Sequence, residues 1–152
     1  MVGVMATGTF DIIHLGHIYF LKEAKKLGDK LIVVVATDST VRKLKHEPVN
    51  PENVRLNLIK ELKMVDEVYL GKEDDMYSIV EEINPDIIAL GFDQIHNEEN
   101  IKKELKKRKI KSKVVRLPEY KGGSDLNGTR RIIRKIISAY EFQKKMERIE
   151  NK

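Results

Sequence analysis

Val2-Gly-Val-Met-Ala-Thr-Gly-Thr-Phe-Asp-Ile-Ile-His-Leu-Gly-His17 opens as a short apolar run, crosses a Gly-Thr pair and arrives at two histidines separated by Leu15 and Gly16. Residues 2–7 are too few and too uniformly apolar for an amphipathic helix, so they read as a strand covered on both faces. From His17 the apolar residues return at helical spacing, and Gly28 supplies a stop signal just after Leu27. Strand, polar turn and helix in this order form the first unit of a parallel α/β sheet. The alternation continues, with strands expected at 30–36, 67–70, 86–90 and 113–117 and helices at 17–27, 53–63, 77–83 and 101–109. The third helix ends at Asn84-Pro85.

Such a chain folds as a Rossmann-like, doubly wound five-stranded parallel sheet, with order 3-2-1-4-5 following from right-handed crossovers. A last helix is expected from 129 to about 149, docked by the stripe Ile132, Ile133, Ile136, Ile137 and Tyr140. From Gln143 onward its apolar residues thin out, leaving three outcomes open: protrusion, fraying, or packing on a second subunit as a homodimer. No repeat or linker composition divides the 152 residues, so one domain is expected over 1–152.

Composition narrows the function classes. Hydrophobic residues make up 41%, enough for a packed core, and charged residues 35%, which describes a well-solvated globule. The absence of cysteine excludes disulfides, thiolate catalysis and cysteine-based metal sites. Met1 leads straight into the first strand, with no basic leader and no apolar run near membrane-spanning length, so a cytoplasmic protein without membrane contact is expected. A net charge of +5 points to an anionic partner. Of two basic clusters, residues 101–110 read as a solvated helix face, whereas Arg130, Arg131, Arg134 and Lys135 begin the last helix. Four Phe, five Tyr and no Trp offer few stacking platforms, so nucleic acid is not the expected partner.

In open parallel sheets ligands bind beyond the carboxyl ends of the strands. Polar or glycine-rich segments follow four of the five strands here: Thr9 to His17, Thr37 to His46, Gly91-Phe-Asp-Gln94, and Lys121 to Arg130. His14 and His17 stand at or just before a helix start, at a spacing that places both on one helix face. Gly16 between them lets a phosphate or base approach, and the helix N-terminus favours anions. The imidazoles would then act as donors to phosphoryl oxygens during in-line displacement, without being nucleophiles. A histidine metal site is the less economical reading, since only His46 and His96 remain to complete it, and cap or core histidines are the bland one. A P-loop is excluded, because Gly3 to Thr9 lacks the required lysine.

Thr7-Gly-Thr-Phe-Asp11 with His14-Leu-Gly-His17 resembles the signature of the cytidylyltransferase-like HxGH nucleotidyltransferases. The resemblance runs on through Thr37-Asp38, Arg55, Val65-Asp-Glu-Val68 and Gly91-Phe-Asp93 to Thr129-Arg130. Phe10 to Leu21 and Asp38 to Lys43 are most similar to the archaeal FAD synthases, with glycerol-3-phosphate cytidylyltransferases second. The resemblance implies transfer of AMP from ATP to FMN, with pyrophosphate as leaving group and Mg²⁺ or another divalent cation beside the phosphates. The alternatives are a CTP-dependent cytidylyltransferase acting on glycerol 3-phosphate or a sugar phosphate and, from another class, a nucleotide-binding regulator without turnover.

Carried over by position, His14 and His17 contact the triphosphate, as do Thr9, Phe10 and the Gly16 turn, and Asp11 organises the phosphates or the metal. Gly91, Asp93 and Gln94 line the nucleoside pocket, Thr129 and Arg130 grip the outer phosphates, and Arg55 with Lys43 or Lys45 adds positive charge. Relatives commonly have Ile-Ser-Ser/Thr-Thr before the last helix where this chain has Leu126-Asn-Gly-Thr129, an exchange in which Asn127 can serve as the helix cap.

Overall fold

A computed structural model describes residues 1–44, 46–122 and 128–151. Five parallel strands, β1 (Gly3–Gly8), β2 (Lys30–Val35), β3 (Glu67–Leu70), β4 (Ile87–Leu90) and β5 (Lys113–Arg116), form one sheet in the order β3-β2-β1-β4-β5. The helices are α1 (Leu15–Lys25), α2 (Asp38–Lys43), α3 (Glu52–Lys60), α4 (Met76–Ile83), α5 (Glu98–Lys107) and α6 (Thr129–Glu150). The expected class and strand order are therefore those observed.

Side chains of successive strand residues point to opposite faces, which is why the strands read as unbroken apolar runs. Val4, Ala6, Leu31, Val33, Val35 and Ala89 pack with Leu21 and Ala24 of α1 and Ile59 of α3 in one cluster. Met5, Val34, Ile88, Leu90 and Val114 pack with Ile79 and Val80 of α4 and Ile101 and Leu105 of α5 in a second. Truncating a fully buried member such as Leu21 or Leu31 to alanine would cost about 2–5 kcal/mol. In α5 only Ile101 and Leu105 are buried, and Arg108 just beyond it binds Asp75, Glu81 and Glu104. This first basic cluster is a solvated helix face, as its spacing implied.

Pairing between β1 and β2 runs to Gly8↔Val35, but pairing between β1 and β4 stops at Ala6↔Ala89. The sheet therefore splits at the carboxyl end of β1, its topological switch point. The Gln94 side chain fills the gap by donating to the Thr7 carbonyl at 2.7 Å.

Local structure departs from the sequence expectation in four places. α2 was not expected, since six residues are too few for a periodicity to show; Thr37 nucleates it by capping the amide of Thr40. α1 starts two residues before His17, with His14 as its N-cap. Gly28 is not a left-handed helix cap: α1 ends on Lys26, and no described glycine has positive φ. The reason for glycine there is contact, because a Cβ at Gly28 would lie 2.7 Å from the Val2 carbonyl oxygen and 2.8 Å from a Val4 methyl. Finally, α6 does not dock by its stripe, for none of its residues is buried and Ile136, Ile137 and Tyr140 are half or more exposed. Asn127, the expected cap of α6, and Lys45 lie outside the described residues.

Gly28→Ala should lower stability by about 1–3 kcal/mol, because the β1 backbone cannot yield to the added methyl as a flexible side chain would. Chemical denaturation of the two proteins checks this, with an unchanged midpoint as the contrary outcome.

Candidate active site

β1 delivers the chain to the carboxyl edge at Gly8, and the next residues take a costly route. Phe10 and Ile12 both have left-handed backbones, with φ of 53° and 50°, at roughly 1–2 kcal/mol each for L-residues. Burial of the Phe10 ring offsets part of that cost. The ring stacks on Phe20 at 6.5 Å between centroids and meets His17 edge-on at 5.5 Å. Gly8 makes room, since a Cβ there would lie 2.8 Å from the same ring. Thr9 and Phe10 were expected to offer backbone and side-chain contacts to the triphosphate; the Phe10 side chain lies in the core and buttresses His17.

Asp11 is also buried. Its two carboxylate oxygens accept the amides of Val49 (2.6 Å) and Asn50 (3.0 Å), and its carbonyl accepts the Thr129 hydroxyl at 2.6 Å. The expected metal ligand is thus a clip that fixes the 49–50 turn, and the start of α6 hangs from its backbone. Among the described residues no group of three His, Asp or Glu side chains could hold a metal ion.

Arg55 departs furthest from its expected role. It is fully buried, donating to the carbonyls of Asn50 (2.9 Å), Thr9 (2.8 Å) and Ala36 (2.7 Å) and to the Asp38 carboxylate (2.7 Å). That hydrogen bond from Arg55 is the main cause holding the Asp38 carboxyl below its ordinary pKa. The guanidinium braces the site and is closed to phosphate.

The two histidines cap α1 reciprocally. His14 Nδ1 accepts the amide of Gly16 at 3.1 Å, and the amide of His14 donates to His17 Nδ1 at 3.4 Å. The rings stack with centroids 3.7 Å apart. An Nδ1 that accepts must be unprotonated, so each neutral ring carries its proton on Nε2. Burial lowers the pKa of His14 despite the opposing charge of Asp93, and burial, with His14 second, lowers that of His17 to about 3. Neither Nε2 has a hydrogen-bond partner and no buried side-chain nitrogen is unsatisfied, so both N–H groups reach solvent. The pair is a neutral two-donor device at a helix N-terminus.

The β4 loop faces this pair. Gly91 is buried, and Asp93 is exposed and close enough to act electrostatically on His14. Gln94 was expected in the nucleoside pocket, but its amide accepts from Gly91 N and donates to Thr7 O, so it closes the loop onto β1. Arg116, which the sequence reading passed over, holds the loop from β5 through the carbonyls of Gly91, Gln94 and His96 and through Glu98. A lone arginine ending a valine strand was the available signal. Leu15, Phe92 and Ile95 are exposed apolar residues beside these groups in sequence, at 56%, 55% and 84%.

Thr9 is half-buried with its carbonyl on Arg55, and Gly16 is in the first turn of α1. Thr129, expected to donate to phosphate, spends its hydroxyl proton on Asp11. Arg130 is exposed in the first turn of α6, whose N-cap Gly128 makes no side-chain cap. Lys43 is exposed at the end of α2, and no contact ties it to the histidines.

The sequence model of the family described as cytidylyltransferase-like matches residues 5–148. The FAD synthase of Aciduliprofundum boonei is 59% identical over 90% of this chain and 91% of its own length, and that of Methanothermus fervidus is 58% identical over 87% and 92%. A crystal structure from Thermoplasma volcanium, described as a lipopolysaccharide core biosynthesis protein, is 54% identical with a TM-score of 0.78, covering 79% of this chain and 98% of that one. The pantoate-beta-alanine ligase of Francisella tularensis, at 19% identity and TM-score 0.58, shares the fold over 82% of this chain and 61% of its own.

The depressed pKa of His17 has a signed consequence. With a folded value near 3 and an unfolded value of about 6.5, the unfolded state binds the extra proton between those limits. The stability associated with the neutral ring is complete above about 6.5 and drains away as pH falls toward 3. Between pH 7 and 5 the protein should therefore lose melting temperature, and His17→Gln should lose less over the same interval. Parallel slopes for the two proteins in calorimetry would contradict a buried neutral His17.

Proposed function

The chain belongs to the cytidylyltransferase-like family, and on that premise we propose that it is an adenylyltransferase joining AMP from ATP to FMN, with FAD and pyrophosphate as products. The observation that carries the mechanism is the neutral, reciprocally capped histidine pair with both Nε2–H groups open to ligand.

A phosphate oxygen of FMN attacks the α-phosphorus of ATP, and the bond from that phosphorus to the bridging oxygen breaks, releasing pyrophosphate. Charge builds on the phosphoryl oxygens during the displacement. His14 and His17 donate to those oxygens from a fixed geometry, so no reorganisation is needed when the charge appears. Their neutrality fits donation and leaves no covalent role. The Arg130 guanidinium and the positive end of the α6 dipole bind the departing phosphates. In this reading Asp93 offers its exposed carboxylate to a ribose hydroxyl. Lys43 adds positive charge from the β2 side. Mg²⁺ belongs to this reading as a companion of ATP and would offset the charge of its phosphates.

Leu15, Phe92 and Ile95 favour a flavin over a glycerol acceptor, since a planar isoalloxazine needs apolar surface to rest on and glycerol phosphate does not. The same reading places the protein in the cytoplasm with small-molecule partners, ATP and FMN. Among the described residues no helix is long and apolar enough to cross a membrane.

Purified protein given ATP and FMN should form FAD, identified by chromatography and fluorescence, whereas CTP with glycerol 3-phosphate should give little product. The reverse pattern would overturn the assignment. His14→Ala and His17→Ala should each reduce turnover by about 10² or more with the fold retained, as loss of an oriented donor does. Near-normal pyrophosphate release by folded His17→Ala would remove it from the catalytic group.

A further inference from the structure

We infer that Arg116 is a positioning residue for nucleotide binding: from β5 it sets the shape of the 91–96 loop, so that the loop meets the nucleoside of ATP already formed. The inference deepens the adenylyltransferase reading and rests on it.

Arg116 is the last residue of β5 and pairs level with Leu90, and the next amide, Leu117, donates to the Leu90 carbonyl at 2.8 Å. The sheet therefore fixes its backbone beside the point where the loop leaves β4. From there Nη1 donates to the carbonyls of Gly91 (2.9 Å) and Gln94 (2.9 Å), Nη2 to that of His96 (2.6 Å), and Nε to the Glu98 carboxylate in the first turn of α5 (2.8 Å). Three carbonyl oxygens converging on one group bring the negative ends of their dipoles together, and a planar cation with a fixed fork of donors holds that arrangement where water would let it splay.

The loop has little else to shape it. Its internal backbone hydrogen bond, from Gln94 N to Gly91 O, is long at 3.3 Å, and the Gln94 side chain ties it to β1 at the Thr7 carbonyl. Phe92 and Asp93 stand exposed between the points that Arg116 grips, with Asp93 close enough to His14 for its charge to act there. The groups offered to the nucleoside thus project from a turn whose geometry belongs to Arg116, while the guanidinium itself is committed to the loop. A preformed loop spares binding the cost of ordering it, so loss of the fork falls on nucleotide affinity and leaves the chemistry at the α-phosphorus alone.

Arg116→Gln and Arg116→Lys in the full chain test this. Lysine keeps the charge, but its three donors sit on one atom and cannot reach three carbonyls and Glu98 together. Binding of α,β-methylene ATP is titrated by calorimetry, kcat and KM are measured for ATP and FMN, amide exchange is followed peptide by peptide, and thermal melts report on the core. Expected in both variants is faster exchange confined to 91–96, with the α1 peptides unchanged. Affinity for α,β-methylene ATP and KM for ATP should both worsen about tenfold or more, while kcat and KM for FMN stay within about threefold of wild type. Unchanged affinity for the analogue, a kcat that falls while affinity holds, or full recovery by lysine overturns the positioning role and leaves the adenylyltransferase reading standing. So does a loss of affinity accompanied by faster exchange through α1 and the core strands, which marks general destabilisation. A wild type that forms no FAD from ATP and FMN overturns that reading and this inference with it.

Discussion

The segments of the site that follow β1 and β2 are tied to one buried cation. Arg55 takes its charge out of water completely and recovers it through three backbone carbonyls and the Asp38 carboxylate. Those partners belong to the loop after β1, the end of β2, the start of α2 and the turn before α3. Removing the guanidinium would leave a part-buried carboxylate and orphaned carbonyls, a loss on the scale of about 3–5 kcal/mol for a broken buried pair. Asp11 extends the same frame by holding the 49–50 turn through its carboxylate and α6 through its carbonyl.

Against this frame the strained residues make physical sense. A left-handed Phe10 and a left-handed Ile12 are tolerable because Arg55 fixes Thr9 between them and β1, and because Asp11 is pinned on both oxygens. The bend they impose turns the chain sharply enough for His14 to cap α1 at once. His17 is then trapped between the Phe10 ring and His14, and its dehydration keeps the imidazole neutral. Position and protonation state of the donors share one cause.

Some departures from the sequence reading have a common explanation. Arg55, Asp11 and Gln94 carry groups suited to phosphate, metal and nucleoside, and the family resemblance assigns them there by position. Backbone demand redirects their side chains: the carbonyls and amides of the carboxyl-edge loops lack sheet or helix partners, and a loop packed on the core must satisfy them from side chains. The histidine pair escaped this fate because its Nδ1 atoms meet the backbone while its Nε2 atoms do not.

The sequence by itself determined the sheet, its order and the edge on which chemistry would occur, because strand and helix periods, turn residues and right-handed crossovers act locally and are written locally. It also carried the family signature around His14 and His17, whose spacing matters only relative to a helix start that the chain itself encodes. Which polar residues face the ligand and which face the backbone was decided by the tertiary structure, since that depends on contacts between Arg55 and Thr9, Asp11 and Val49, or Gln94 and Thr7, far apart along the chain. The same holds for α6. Its apolar spacing is legible in sequence, but only the fold reveals that the sheet leaves that surface uncovered.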